Sequence, residues 1–439
     1  MKSISNVFLL MLVLLGVSCN DSVKDTVTYM ANVPVYMSQD EFNATTRVAA
    51  THPMTNPGKI CLYGNYIFIN EINEGIHVID NSDPSSPRNV AFIEIMGNID
   101  LAAKDGILYA DNMVDLLLFD ISNPGAPQLK SRMKGVFEGV LPAPDNEYPV
   151  QSKIDFDGKI VVGWTQETVT EDVRYYYPRY GYDGLSSYKE SSWSQNVAQP
   201  GSKITGVTGS MSRFAIAGEY LYTIHISNIY GQQPSYSSYY AAAAGLMKIF
   251  NIENEQINLV NSFNVSTAVE TIFAYKDHLF LGLSNGMNIY SIVNPSAPNY
   301  ISATWHFWGC DPVVVSDDYA YLTVRSTNVC GQNGNMLQII DISDITQPKE
   351  VSRYALTEPY GLGIDDNKLF VCDNGLKVFD ATVPAAAGGK QLFATTDFAG
   401  FDLIPYNGLL LVIGSDGLYQ YSYSSDNQLK RLSVIPVSK

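Results

Sequence analysis

Enzymatic chemistry needs acids, bases, nucleophiles or metal ligands at workable spacings, and this chain offers few such groupings. Its five histidines, His52, His77, His225, His278 and His306, are scattered, and none forms an HxH or HExxH ligand spacing. His306 stands in "TWHFWGC" between Trp305 and Trp308, an aromatic cluster that could hold a ligand or simply pack a strand. No glycine-rich phosphate loop, GxSxG elbow or EF-hand pattern occurs. Acidic side chains number 44, so a carboxylate pair converging from separate segments could run hydrolysis. No single segment supplies that pair. The expectation is a protein without catalytic residues, bound metal or cofactor.

Tyrosine is more informative, with 29 in the chain. Two stretches concentrate it, "RYYYPRYGYDGLSSYKESSW" at 174–193 and "NIYGQQPSYSSYY" at 228–240. The side chain presents a large, rigid, amphipathic area that stacks on sugar rings or packs on protein. Tyr175, Tyr176, Tyr177, Tyr180, Tyr182, Tyr236, Tyr239 and Tyr240, with Trp193 beside them, are the candidate partner-binding residues. The competing reading is that these rings cover the protein's own surface.

With 27 basic against 44 acidic side chains, the formal charge is −17. So acidic a surface repels phosphate backbones, and no Lys/Arg stripe offsets it, so nucleic acid is not an expected partner. Charge-driven docking onto anionic lipid is disfavoured for the same reason. Membrane attachment is expected by another route. Residues 1–18 open with Lys2, run apolar from Val7 to Leu15, too short to span a bilayer, and end in Gly16-Val17-Ser18 before Cys19. This resembles a bacterial lipoprotein signal peptide, with Gly16 where leucine is commonest. The resemblance implies that Cys19 is lipidated and becomes the mature N-terminus. Asp21, Lys24 and Asp25 resemble the acidic signals that send some such proteins to the cell surface. The expected location is the outer membrane, lipid-anchored and facing outward, with residues 19–55 as tether and N-terminal segment.

The elements that must position these residues are repeats. "IHVIDNSDPSSP" at 76–87 returns as "LLLFDISNPGAP", "MNIYSIVNPSAP" and "LQIIDISDITQP". Each unit reads apolar strand, two-residue polar turn, second apolar strand, loop, Gly-Leu-x-Val-x-Asp strand, proline-rich turn and fourth strand. The Asp position falls at Asp80, Asp120, Asn251, Ser291, Asp341, Asp380 and Ser422, with one long gap between Asp120 and Asn251. That gap holds "KIDFDGKIVVGW" at 153–164 and "RFAIAGEYLYTIH" at 213–225, hence two units with insertions and eight in all. Short strands in fours, repeated many times, are the arithmetic of an all-β propeller over residues 56–439. Eight four-stranded blades are expected, with seven as the alternative.

The turns Gly64-Asn65, Asp105-Gly106, Asp157-Gly158 and Asn407-Gly408 suit two-residue hairpins. The recurring Asp closes the third strand, where its carboxylate would accept from turn N–H groups, a scaffold role. The Tyr-rich stretches, together with "STNVCGQNGNM" at 326–336, lengthen connections that follow second strands, at 174–203, 228–244 and 327–335. In a propeller such connections emerge on one face. Three of them there read as a contact surface.

The units resemble the LVIVD repeat family of bacterial secreted or surface proteins, over residues 56–439 and most closely in the first, second, fifth and sixth units. The resemblance implies a propeller and no established chemistry. It also suggests a cysteine at positions 310 and 330. Cys310 opens the first strand of its unit and Cys330 follows the second, across a hairpin turning at Ser316-Asp317-Asp318, so a Cys310–Cys330 disulfide is expected. It would contribute about 3 kcal/mol on the chain-entropy account. Cys61 and Cys372 sit in apolar strands and are expected as buried thiols. The function expected from all this is a surface-anchored lipoprotein whose propeller is a non-enzymatic binding or adhesion module for protein or glycan. The alternative is a propeller hydrolase or lyase acting on extracellular polysaccharide, and a plainer third reading is a structural envelope component.

Overall fold

The structure, a computed structural model, describes residues 25–145, 147–173, 179–180, 205–227, 244–266, 269–305, 312–326, 334–424 and 428–438. Strands dominate and fall into eight sheets. Seven of these are meanders in chain order, at 57–94, 101–133, 214–265, 269–305, 313–355, 359–395 and 400–436, hereafter blades 1 to 7. The first strand of each blade packs on the first strand of the next, and Gly400–Tyr406 of blade 7 packs on Pro57–Tyr63 of blade 1. The ring therefore closes at seven blades.

Burial follows position in the blade. Strands such as Pro57–Tyr63, Tyr66–Glu71 and Lys368–Asp373 are buried along almost their whole length, because neighbouring blades cover both faces. Outermost strands such as Lys349–Ala355 alternate exposed and half-buried residues. Apolar clusters fill the spaces between blades, as where Ile76, Val78 and Ile93 of blade 1 meet Leu108, Leu117 and Phe119 of blade 2. Each such fully buried side chain contributes about 1.5–3 kcal/mol.

The repeat motif has a local cause at each end of the third strand. At its start, Gly75, Gly286 and Gly417 have φ of 150°, 144° and 156°, and a Cβ there would strike the fourth-strand carbonyl at 1.9, 2.1 and 2.5 Å. At its end, the carboxylates of Asp80, Asp120, Asp341 and Asp380 accept from the backbone N–H two residues on, at 2.9–3.0 Å. The scaffold role expected of this Asp is what the structure shows. Just before it, the pairing of third and fourth strands slips in every blade, a bulge that bends the outer strand.

The eighth sheet is built differently from the unit expected around 153–164. Lys159–Asp172 is a 14-residue strand whose second half is polar and exposed, so it cannot be packed between blades. It pairs antiparallel with the 13-residue strand Thr26–Ser38 from the N-terminal segment, which also touches Pro149–Val150 in parallel. Pro149–Val150 in turn pairs with Arg179–Tyr180. A six-residue helix, Gln39–Ala44, follows, with a capping box between Ser38 and Glu41. Its Phe42 is fully buried against Met113 and Ile160, which seats the sheet on the turn between the second and third strands of blade 2. Arg47–Ala49 then covers the outer edge of blade 1.

No strand is shared across the seam between blades 7 and 1, since each draws its own four from one stretch of chain. Side-chain and terminal contacts tie the seam: Ser438 N–H to Met54 C=O at 2.7 Å, Ser433 Oγ to Pro84 C=O at 2.7 Å, and Gln420 Nε2 to Asn81 Oδ1 at 2.7 Å.

Candidate functional site between blades 2 and 3

The axis of the ring is occupied by the chain itself. After the long connection from blade 2, residues 206–212 run buried along the innermost strand of blade 1, pairing Val207 with Leu62 and Thr208 with Cys61. Gly206 N–H donates to Ala103 C=O at 2.7 Å. Ser210 donates from N–H and Oγ to Asp402 Oδ1 of blade 7 at 3.1 and 3.2 Å, and accepts from Leu362 N–H of blade 6 at 2.8 Å. Ser212 Oγ and Arg213 N–H donate to Asp100 of blade 2 at 2.9 and 2.6 Å. A Cβ on Gly209 would lie 1.8 Å from the Asp402 carboxylate, so only glycine lets the backbone come this close. Burial lifts Asp402 well above the ordinary carboxylate range. The axial carboxylates thus hold this plug.

Where the plug leaves the axis, a cavity of about 30 Å³ opens between blades 2 and 3, large enough for one or two waters or the tip of a ligand. Asp100, Asp111, Arg213 and His225 line it, with Phe137, Phe214, Val140 and Ile224 as apolar walls. Asp100 is saturated. Its Oδ1 accepts from Leu101 N–H and Ser212 Oγ, and its Oδ2 from Arg213 N–H and the buried Lys59 Nζ at 2.5 Å. Asp111 Oδ1 accepts from Asn98 Nδ2 and the N–H groups of Ile99 and Asp100 at 2.7–2.8 Å. Burial, reinforced by the neighbouring Asp100 charge, outweighs those bonds and raises Asp111 to about 7.

His225 is the unusual member. It is 6 % exposed, yet neither ring nitrogen has a hydrogen-bond partner. Burial, then the charges of Lys248 and Arg213, lower it to about 3, so the ring is neutral at physiological pH. Phe137 meets it edge-on at 5.4 Å.

His225 is the sixth residue of its blade's second strand, Tyr220–Ser227. In blades 1 and 6 that position holds Glu71 and Asp373. Asp373 accepts from Thr357 and Glu358 N–H at 2.9 and 2.6 Å, and Lys377 Nζ at 2.5 Å. Glu71 accepts from Thr55 N–H and Oγ1, from Asn56 N–H, and from His77 Nε2 at 3.0 Å. In blade 2 the residue is Asn112, bonded to Met96 C=O and Arg132, and in blades 4, 5 and 7 it is Leu283, Val324 and Gly414.

Of the residues expected at a site, Cys19, Cys310, Cys330, Tyr175, Tyr176, Tyr177, Tyr182, Trp193, Tyr236, Tyr239 and Tyr240 lie outside the described residues, as do His306 and Trp308. Tyr180 is placed by its backbone in the strand Arg179–Tyr180. Cys61 and Cys372 are buried free thiols, as expected. Burial pushes the Cys61 thiol up to about 12. Among the described residues no group of three or more His, Cys, Asp or Glu could hold a metal ion, and no helix is long and apolar enough to cross a membrane.

The stems of the lengthened connections are described. Ser227 and Ala244 form the last rung of blade 3, two rungs from His225 and Leu246. Thr205 re-enters beside Lys104, the last residue of a first strand, so this connection returns at the opposite face rather than sharing one face with the other two as expected, and it leads into the plug. Ser326 N–H donates to Asn335 Oδ1 at 2.8 Å across the stem in blade 5. In each blade second strands end and first strands begin at one face, which is also the face of the cavity. The connection at 174–203 belongs to the link between blades 2 and 3, not to a blade of its own. Asp111 and His225 were not singled out as a site by sequence reasoning. The available signal was the sixth second-strand residue, Glu71, Asn112, His225 and Asp373, read down the repeats.

A seven-bladed propeller built from such units is a repeat scaffold. Three of the repeats, in blades 1, 2 and 5, match the LVIVD repeat model, at residues 57–92, 100–134 and 310–356. The fold resembles that of a candidate 6-phosphogluconolactonase from Bacteroides fragilis, at 10% identity and a TM-score of 0.51, covering 88% of this chain and 98% of that one. It also resembles the periplasmic gluconolactonase of Pseudomonas aeruginosa, at 12% identity and a TM-score of 0.50, covering 87% and 98%. At these identities the likeness is one of fold. No curated protein matches the chain.

Proposed function

We propose that this protein is a surface lipoprotein, anchored through Cys19, whose propeller binds an extracellular protein or glycan without catalysis. The observation that carries the reading is convergence. The stems of the connections at 228–243 and 327–333 and the His225 cavity all lie on one face. A tyrosine-rich connection beside a small polar pocket supplies broad contact area plus a point of specificity. The net charge of −17 keeps the rest of the surface soluble. The test replaces 181–203 and 229–242 with Gly-Ser linkers, checks that the melting temperature holds, and measures binding to matrix proteins, a glycan array and whole cells. Unchanged binding would remove the face from consideration. For the anchor, a Cys19→Ala protein that still partitions into detergent would refute lipidation.

The second reading, a hydrolase or lyase, draws on Asp111 lying near Asp100 and on the gluconolactonase names of the two neighbours. Against it, Asp100 is already held by four donors and has no lone pair facing a substrate in reserve. Ring opening of gluconolactone, or reducing ends released from a polysaccharide, would establish this reading in place of the first.

A further inference from the structure

We infer that the cavity between blades 2 and 3 is a sugar-specificity pocket that receives a hydroxyl or hydroxymethyl group of an uncharged glycan terminus, with His225 as its recognising group. The inference rests on the binding face proposed above and names the chemistry that face selects.

Four observations lead there. The neutral imidazole of His225 offers one N–H donor and one bare nitrogen acceptor, both without a protein partner at 6 % exposure. A buried polar group left unpaired is costly, so a ligand that pairs it recovers affinity there. A hydroxyl, being donor and acceptor at once, satisfies either tautomer. The charge around the cavity argues against ions of both signs. Arg213 and Lys248 act on the same imidazole while Asp100 and Asp111 line the cavity, so charges of both signs adjoin it and neither a cation nor an anion gains a one-signed site. The walls are aromatic, with Phe137 and Phe214 stacked at 6.0 Å between ring centres and almost fully buried, a lining that suits the C–H groups of an entering hydroxymethyl. The size sets the portion that enters. About 30 Å³ admits one hydroxyl-bearing carbon and excludes a whole ring, so the rest of the sugar stays on the face outside.

Blades 1 and 6 supply the internal control. At the same strand position their carboxylates are spent on the backbone N–H groups that precede the first strand. In blade 3 the equivalent backbone belongs to the plug, and its Arg213 N–H is already taken by Asp100. The sixth position is thereby released from structural duty.

The experiment uses the full chain with labelled histidines and follows the imidazole resonances, with the His225 signal assigned by its loss in His225→Leu. Glucose, galactose, mannose, fucose and N-acetylglucosamine are titrated separately, beside glucuronate, inorganic phosphate and zinc. The expected result is that one or more neutral sugars move the His225 signal. The His225→Leu protein should bind that sugar about tenfold more weakly, and His225→Gln, which keeps a donor and an acceptor, should recover part of the loss. A His225 signal unmoved by every neutral sugar, or moved by phosphate or zinc instead, overturns the inference. A protein that binds glycans on an array through its loops, equally well in wild type and His225→Leu, overturns it while leaving the proposed function standing. Array binding unchanged by loop replacement, with the His225 response intact, would do the reverse.

Discussion

Glu71 in blade 1 and His225 in blade 3 stand on the same rung of the same repeat, and the chain treats them in opposite ways. Glu71 is fully buried and accepts from Thr55, Asn56 and His77, while Asn89 Nδ2 donates to His77 Nδ1 and so leaves His77 Nε2 as the donor to Glu71. Burial would raise this carboxyl, but those bonds prevail and hold it at about 2. His225 is nearly as buried and bonds to nothing in the protein. One rung closes a blade, and the other borders a cavity. The difference teaches that a repeat position is structural only where the chain preceding the first strand presents free N–H groups to it.

The largest expected effect breaks the closed side. Glu71→Leu strands the Thr55 and Asn56 N–H groups and the His77 ring, and should cost about 3–5 kcal/mol, read as a lowered denaturant midpoint. A loss below about 1 kcal/mol would mean the rung is not a keystone.

Next is the plug that separates the two sides. Gly209→Ala forces a methyl into the Asp402 carboxylate and should cost about 1–3 kcal/mol, with faster proteolysis at 205–212. An unchanged midpoint would show that this segment does not fill the axis.

A smaller effect is pH-dependent and belongs to the open side. Asp111, ordinarily near 3.8, is raised to about 7 in the folded chain. As pH rises from about 4 to about 7 the unfolded chain ionises freely while the folded one must charge a buried group, so stability falls across that window. In Asp111→Asn that part of the slope should vanish, measured as the difference between the two stability profiles. Glu71 works with the opposite sign: its contribution is present above about 4.5 and is lost as pH falls toward about 2.

The smallest effect sharpens the comparison most. His225→Leu removes a buried unpaired polar ring and should leave stability unchanged or raise it by up to about 1 kcal/mol. A loss as large as that of Glu71→Leu would make the two rungs equivalent after all.

The repeat, its turns and its scaffold Asp were legible because each is a local pattern of strand, glycine and carboxylate. Eight sheets were legible too, in the apolar run at 159–164 and its Asp157-Gly158 turn. Which sheets are blades was not, because the partner of Lys159–Asp172 is Thr26–Ser38, more than a hundred residues away. Asp100, Asp111, Arg213 and His225 carry no mutual spacing that marks a site, since separate blades and the plug bring them together.

By itself the sequence determined the blade: alternating and fully apolar runs choose strands, glycine with φ near 150° admits the fourth strand, and Asp terminates the third. These are short-range consequences of backbone sterics and hydrogen bonding, repeated along the chain. Only the tertiary structure decided how many blades close the ring, what fills its axis, and which buried polar groups go without a partner. Those depend on distant segments competing for the same hydrogen bonds. Asp100 took the Arg213 N–H, and His225 was left facing an open space.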